Sequence, residues 1–98
     1  MALQSAHELV ADIEERATFP AEVMHEIRDQ LAPYRLDEKL ITGQTVIYQD
    51  LSIDSLAVMD IIMELEDRFD IAIPINVVAE IRTVDELADA ILTLRARA

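Results

Sequence analysis

The chain has 98 residues, a hydrophobic content of 52% and a formal net charge of −12. This length allows one domain with one core, and the acidic balance argues against nucleic acid or an anionic membrane surface as a partner. The absence of cysteine excludes disulfides, thiolate catalysis and cysteine-based metal sites. No apolar run approaches the roughly 20 residues of a membrane span, and no secretory signal is recognisable, so we expect a cytoplasmic monomer.

The sequence favours helices over strands, since it has one glycine, three prolines and little period-two alternation. A first helix is predicted over residues 5–17, opened by a capping box of Ser5 and Glu8. A second helix is predicted to start near Pro20 and to end before Pro33. Its apolar stripe consists of Val23, Ile27 and Leu31.

Residues 33–53 form a long connection that we expect to pack on the core, because it is too apolar for a solvated loop. Gly43 indicates a turn inside it. The apolar residues of the connection are Leu40, Ile41, Val46, Ile47, Tyr48 and Leu51.

Three more helical segments are predicted after this connection. One runs over residues 55–69 with Asp54 as its N-cap. A short helix or turn follows over residues 74–81, after Pro74. The last helix begins at a second capping box, formed by Thr83 and Glu86. Its buried stripe is predicted to consist of Val84, Leu87, Ala88 and Ile91.

The helix over residues 55–69 is apolar on two faces. The core stripe has helical spacing and consists of Val58, Ile61, Ile62, Leu65 and Phe69. A second line runs along the helix from Ser55 and continues with Met59 and Met63, near Leu56. Three acids lie beside it: Asp60, Glu64 and Asp67. Either this line is a docking surface, because methionines repack readily, or its apolar side chains belong to the core and the acids are a solvated face.

Ser55 places a hydroxyl where a loop becomes a helix, with carboxylates around it in sequence. No His or Lys is near to activate it, and His7 and His25 lie on other predicted helices. Such a serine is a poor catalytic nucleophile but a good attachment point for a phosphate, so no enzyme activity is expected. The acids at Asp50 and Asp54 do not form a calcium loop, because the required glycine is missing, and no metal site is predicted.

Three stretches, in this order and spacing, carry a resemblance to a known family: Asp50-Leu51-Ser52-Ile53-Asp54-Ser55-Leu56, then Met63-Glu64-Leu65-Glu66-Asp67-Arg68-Phe69-Asp70-Ile71-Ala72-Ile73-Pro74, then Thr83-Val84. In these stretches the chain resembles the acyl carrier proteins. The resemblance covers about four-fifths of the chain. It implies an all-α, four-helix acyl-carrier-type bundle over residues 20–94, within a single domain over residues 1–98. Residues 1–19 are extra to the family pattern and are expected to form an additional N-terminal helix, which either caps the bundle or docks a dedicated partner.

The resemblance also implies that Ser55 carries a covalent 4′-phosphopantetheine arm, transferred from coenzyme A by a phosphopantetheinyl transferase. Asp54 and Leu56 would belong to the attachment site, and Asp54 would help to position the transferase and its metal ion. Basic surfaces of acyl-transferring or condensing enzymes would meet Leu56, Met59, Asp60, Met63, Glu64 and Asp67. A cavity for an acyl chain would be lined by Ile61, Ile62, Leu65, Phe69, Ile81 and Ile91.

The function implied is the transport of acyl intermediates as thioesters to enzymes of fatty acid, lipid or related synthesis. A peptidyl or polyketide carrier, or an unmodified helical interaction subunit, remains as an alternative. The chain departs from the family pattern at Ser52, where glycine is common, and at Ala57 and Arg68, where acids are common. The stretch over residues 75–78 is apolar instead of acidic. These departures suggest a specialised carrier.

Overall fold

Residues 19–97, which the computed structural model describes, form α-helices joined by loops, with no strand inside that range. The helices are α1 (Ala21–Leu31), α2 (Ile47–Asp50), α3 (Ser55–Phe69), α4 (Ile75–Glu80) and α5 (Val84–Arg97), and a 3-10 turn (Ala32–Tyr34) follows α1. The prediction of an all-α bundle is confirmed. The helix predicted over residues 5–17 lies outside the described residues. None of the helices within 19–97 has the length and apolar content needed to span a membrane.

Helix α1 packs on both α3 and α5 through its apolar stripe. The predicted residues Val23, Ile27 and Leu31 are all buried, and Met24 is buried beside them. Pro20 precedes the helix as its N-cap instead of occupying the first turn. Its carbonyl accepts the N–H groups of Val23 at 3.0 Å and Met24 at 3.1 Å, which satisfies two of the unpaired donors at the start of the helix.

The long connection after α1 is only partly packed on the core. Burial is confirmed for Ile41, Ile47 and Leu51, whereas Leu40 and Tyr48 are 78% and 51% exposed, so the prediction was wrong for these two. The sequence reasoning also missed helix α2, because its four residues are too short for a periodic pattern.

The connection is joined to the start of α5 by backbone hydrogen bonds. The Val84 N–H donates to the Thr45 carbonyl at 3.1 Å, and the Asp85 N–H donates to the Gly43 carbonyl at 2.9 Å. The turn predicted at Gly43 is confirmed. A Cβ atom at Gly43 would collide with the Asp85 carboxylate unless that side chain rotated away, so glycine permits this close approach.

Helix α3 has the predicted bounds and buries the predicted stripe of Val58, Ile61, Ile62, Leu65 and Phe69. It ends at Asp70, which adopts the left-handed conformation at φ 53°. The Glu66 carboxylate then accepts the N–H of Ile73 at 2.7 Å, which fixes the segment leading to α4.

Helix α5 begins at the predicted capping box. The Thr83 N–H donates to Glu86 Oε1 at 3.0 Å, and the Glu86 N–H donates to Thr83 Oγ1 at 3.1 Å. The hydrogen bonds from the backbone of Thr83 and then of Arg82 lower the pKa of Glu86 below its usual range. The predicted buried stripe of Val84, Leu87, Ala88 and Ile91 is confirmed.

The orientation of α3 can be tested with two substitutions on the same helix. Leu65 is 0% exposed and Met63 is 59% exposed. We expect Leu65→Ala to lower the free energy of unfolding by about 2–5 kcal/mol, because it leaves a cavity in the core, and Met63→Ala to change it by less than about 0.5 kcal/mol. Urea denaturation followed by circular dichroism measures both. Equal losses of unfolding free energy in the two variants would contradict the orientation of α3.

The capping box predicts a pH-dependent stability. Since the pKa of Glu86 is lowered in the folded chain, its charged form stabilises the fold above the ordinary value of 4.5, and this contribution is lost as the pH falls through the folded pKa. We expect Glu86→Gln to lose stability relative to the wild type at neutral pH and the difference to shrink in acid. The control is Asp89→Asn, which removes an exposed carboxylate of the same helix. Its stability at neutral pH should differ from that of the wild type by less than the stability of Glu86→Gln does.

Candidate functional site

Ser55 is the first residue of α3 and is exposed to solvent. The preceding residue, Asp54, is extended and lies in the N-cap position. Its Oδ1 atom accepts the Ala57 N–H at 2.8 Å, and its carbonyl accepts the Val58 N–H at 3.0 Å. Asp54 therefore starts the helix one residue before the serine, as predicted, and leaves the Ser55 hydroxyl at the helix terminus.

The end of α3 next to Ser55 has the donors that an anion needs. Within residues 19–97, no acceptor pairs with the N–H groups of Ser55 and Leu56. These two groups lie at the positive end of the helix dipole, where phosphate groups are stabilised. A phosphodiester on the exposed Ser55 oxygen therefore fits the residues present.

The loop before Ser55 is fixed although it is at the surface. Leu51 is buried and forms an antiparallel bridge with Arg35. The Ser52 N–H donates to the Tyr34 carbonyl at 2.8 Å, and Asp50 Oδ2 accepts the Val46 N–H at 2.8 Å. The contacts of Leu51 and Ser52 hold the loop to the segment after α1, and the Asp50 carboxylate holds the start of α2, so the backbone leading to Ser55 is bonded to the bundle.

Neither a hydrolase triad nor a metal site is found among the residues that the structure describes. His25 is exposed on α1, where its Nε2 atom lies 3.2 Å from Asp29, and His7 lies outside the described range. Between residues 19 and 97, no cluster of three or more potential His, Asp or Glu ligands is present.

The second apolar line of α3 faces outward at both ends. Leu56 is 74% exposed and Met63 is exposed as well, whereas Met59 is half-buried. The alternative that all three belong to the core is wrong for Leu56 and Met63. The acids beside them are exposed and have no cation partner among residues 19–97: Asp60, Glu64 and Asp67.

Arg68 lies close to this acidic surface but is bonded to α1. Its Nε atom lies 3.1 Å from Oε2 of Glu26. The Glu26 side chain is largely buried, whereas the Arg68 side chain is exposed. The hydrogen bond from Gln30 and the pairing with Arg68 lower the pKa of Glu26. The sequence reasoning noted Arg68 only as a departure, because this pairing joins residues far apart in the chain.

An apolar cavity lies beside α3 and has room for about one water molecule. Of the residues expected to line it, Ile61, Ile62 and Ile81 do so. The remainder do not line this cavity and are packed in the core: Leu65, Phe69 and Ile91. Sequence reasoning missed the other lining residues: Leu31, Ile47, Tyr48, Val58, Val78 and Leu87.

Comparison with known proteins agrees with this site. The family model described as "Phosphopantetheine attachment site" matches residues 26–91. A probable acyl carrier protein from Caulobacter vibrioides is 48% identical over 58 residues, which cover 59% of this chain and 67% of that protein. An acyl carrier protein from Syntrophobacter fumaroxidans is 34% identical over 73 residues, which cover 74% of this chain and 86% of that protein.

A third relative, an acyl carrier protein from Rubrobacter xylanophilus, is 37% identical over 57 residues, which cover 58% of this chain and 70% of that protein. The family match spans the loop before Ser55, the whole of α3 and most of α5. Members of this family bear a covalent 4′-phosphopantetheine and work with a phosphopantetheinyl transferase and biosynthetic enzymes. The chain belongs to the acyl carrier protein family and is a carrier, not an enzyme.

Proposed function

We propose that the chain carries acyl groups on a 4′-phosphopantetheine arm attached to Ser55 and delivers them to enzymes of fatty acid, lipid or related biosynthesis. The observation that carries this proposal is the exposed hydroxyl at the N-terminus of α3, beside two backbone N–H groups that have no acceptor among residues 19–97. When bound, the arm supplies a terminal thiol for thioesters. The chain has no cysteine, so this thiol has no competitor in the protein.

The neighbours of Ser55 have distinct roles in this proposal. Asp54 caps α3 through Ala57 and defines where the helix begins. Ser55 is then the first helical residue and is exposed, so a transferase can reach it. Leu56 adds an exposed apolar side chain next to the attachment point, which a partner enzyme can cover.

The outward surface of α3 is the proposed docking surface for partner enzymes. It combines the apolar side chains of Met59 and Met63 with the carboxylates of Asp60, Glu64 and Asp67. The carboxylates would steer basic enzyme surfaces into encounter, and the methionines would adapt to several partners. Such a surface allows binding that is fast and readily reversible, which a carrier shared among enzymes requires.

The remaining parts of the proposal come from the sequence. Residues 20–94 form the carrier bundle within a single domain, and residues 1–19 are an N-terminal extension. A cytoplasmic location also stays a prediction. A peptidyl or polyketide cargo would use the same serine, so the loaded group distinguishes these carriers from a fatty-acyl carrier.

Attachment at Ser55 can be tested with a matched serine control. Co-expression with a broad-specificity phosphopantetheinyl transferase should add the mass of one phosphopantetheine to the wild type. We expect this increase to vanish in Ser55→Ala and to persist in Ser52→Ala, because Ser52 is an exposed serine of the same loop that lies outside the helix terminus. Intact-mass spectrometry measures all three proteins.

Circular dichroism of Ser55→Ala provides the folding control. The substituted side chain is exposed, so we expect the unfolding free energy to change by less than about 0.5 kcal/mol. A wild-type chain that stays unmodified, or a modified Ser55→Ala chain, would rule out the assignment and favour an unmodified interaction subunit or another attachment point.

The docking surface can be tested by reversing charges. Glu64→Lys combined with Asp67→Lys should slow association with the transferase by about tenfold or more at low salt and flatten the salt dependence, because electrostatic steering is lost. The control is Glu38→Lys combined with Asp89→Lys, which makes the same change in net charge at exposed positions away from α3. Stopped-flow association rates that fall equally in both pairs would indicate an effect of net charge alone.

A further inference from the structure

Among residues 19–97, Tyr48 is the one aromatic and the one polar side chain that lines the apolar cavity beside α3. The other lining residues are aliphatic and come from α1, α2, α3, α4 and the start of α5: Leu31, Ile47, Val58, Ile61, Ile62, Val78, Ile81 and Leu87. Aliphatic walls favour a hydrocarbon chain and disfavour a polar one, whose groups would lose water without gaining hydrogen bonds.

The mouth of the cavity can be located from the exposure of its walls. Most of the lining side chains are buried, but Val78 and Ile81 are half-buried and Tyr48 is 51% exposed. We therefore place the opening at these three side chains, which line the cavity and also contact solvent.

The backbone segments that carry Tyr48 and Ile81 are joined to each other next to these two residues. The Ile47 N–H donates to the Arg82 carbonyl at 2.9 Å, and Val46 forms an antiparallel bridge with Thr83. These segments are thus tied to each other within one residue of Tyr48 and Ile81. The two segments cannot separate here without breaking these bonds, whereas an exposed aromatic side chain changes rotamer rapidly and at little cost.

We propose that Tyr48 is the gate of this cavity and limits the length of the hydrocarbon chain that enters it. This inference rests on the proposed function, because the chain that enters is the acyl group carried from Ser55. The closed cavity has room for about one water molecule, so an acyl chain enters only when a lining side chain moves. Among those side chains, the Tyr48 ring has the most solvent to move into.

The test uses the full chain loaded at its serine with saturated acyl groups from acetyl to palmitoyl. Two quantities are measured for each length: the thermal midpoint relative to the unacylated arm-bearing protein, and the half-life of the thioester in hydroxylamine. Each methylene that enters the cavity should raise the protected population by about threefold to fourfold until the cavity is full. The acyl length at which both quantities stop rising is the cut-off.

We expect Tyr48→Ala to shift this cut-off to longer chains and Tyr48→Trp to shift it to shorter ones. Tyr48→Phe should match the wild type, because the gate acts through the size of the ring and not through its hydroxyl. Leu40→Ala is the control, since Leu40 is an exposed apolar residue of the same connection and does not line the cavity.

The same cut-off in the Ala, Trp and wild-type proteins would overturn the gate. A shift in Tyr48→Phe equal to that in Tyr48→Ala would also overturn it and assign the effect to the hydroxyl. Should Tyr48→Ala not fold, the Trp variant alone decides between the outcomes. If all variants load normally and the acyl-length cut-off does not depend on the residue at position 48, the gate is refuted while attachment at Ser55 stands. The two proposals can therefore fail separately.

Discussion

The burial of one face of α3 is the constraint on which the remaining structure depends. Five aliphatic and aromatic side chains at helical spacing face the core, and their burial contributes on the order of 8–15 kcal/mol before conformational entropy is subtracted. That burial fixes how α3 is rotated about its axis. Once the core face is fixed, Met63 must point outward, and Ser55 lies at the exposed end of the helix. The exposure of the proposed attachment point and of the proposed docking surface is therefore a consequence of core packing.

The acids between residues 50 and 70 have two different roles that their charge alone does not distinguish. Asp50, Asp54 and Glu66 accept backbone N–H groups and hold the loop, the start of α3 and the segment after it. The carboxylates of Glu64 and Asp67 remain at the surface. Removing one of the acids that accept a backbone N–H group would change the shape of the site. Removing Glu64 or Asp67 would change only the electrostatic potential of the surface.

The local features of the fold could be predicted from the sequence. The bounds of α3, its Asp54 cap and the capping box of α5 depend on residues within four positions of one another, so their patterns are legible in the chain. The exposure of Ser55 follows from the same local rules, because a residue just after an N-cap lies at the end of a helix.

Features that depend on distant contacts could not be predicted in this way. The pairing of Arg68 with Glu26 joins α3 to α1, and neither residue signals its partner. The apolar neighbours of Tyr48 predict a place in the core, yet this residue is exposed and lines a cavity built from several helices. Helix α2 is joined to the rest of the fold by the bond from the Ile47 N–H to the Arg82 carbonyl, and its four residues are too few for a helical pattern.

A small gated cavity suits a carrier better than a large open one. Each buried methylene stabilises a sheltered chain by about 0.8 kcal/mol, so a cavity that accepted a whole long chain would hold the acyl group against any partner enzyme. Helix α3 contributes to the wall of the cavity through Val58 and Ile62, and it also carries Met63 of the proposed docking surface. A partner that binds the proposed surface would contact the same helix that lines the cavity. Docking and release of the acyl chain would then be coupled through α3, and the coupling free energy would be limited by the few methylenes that Tyr48 admits.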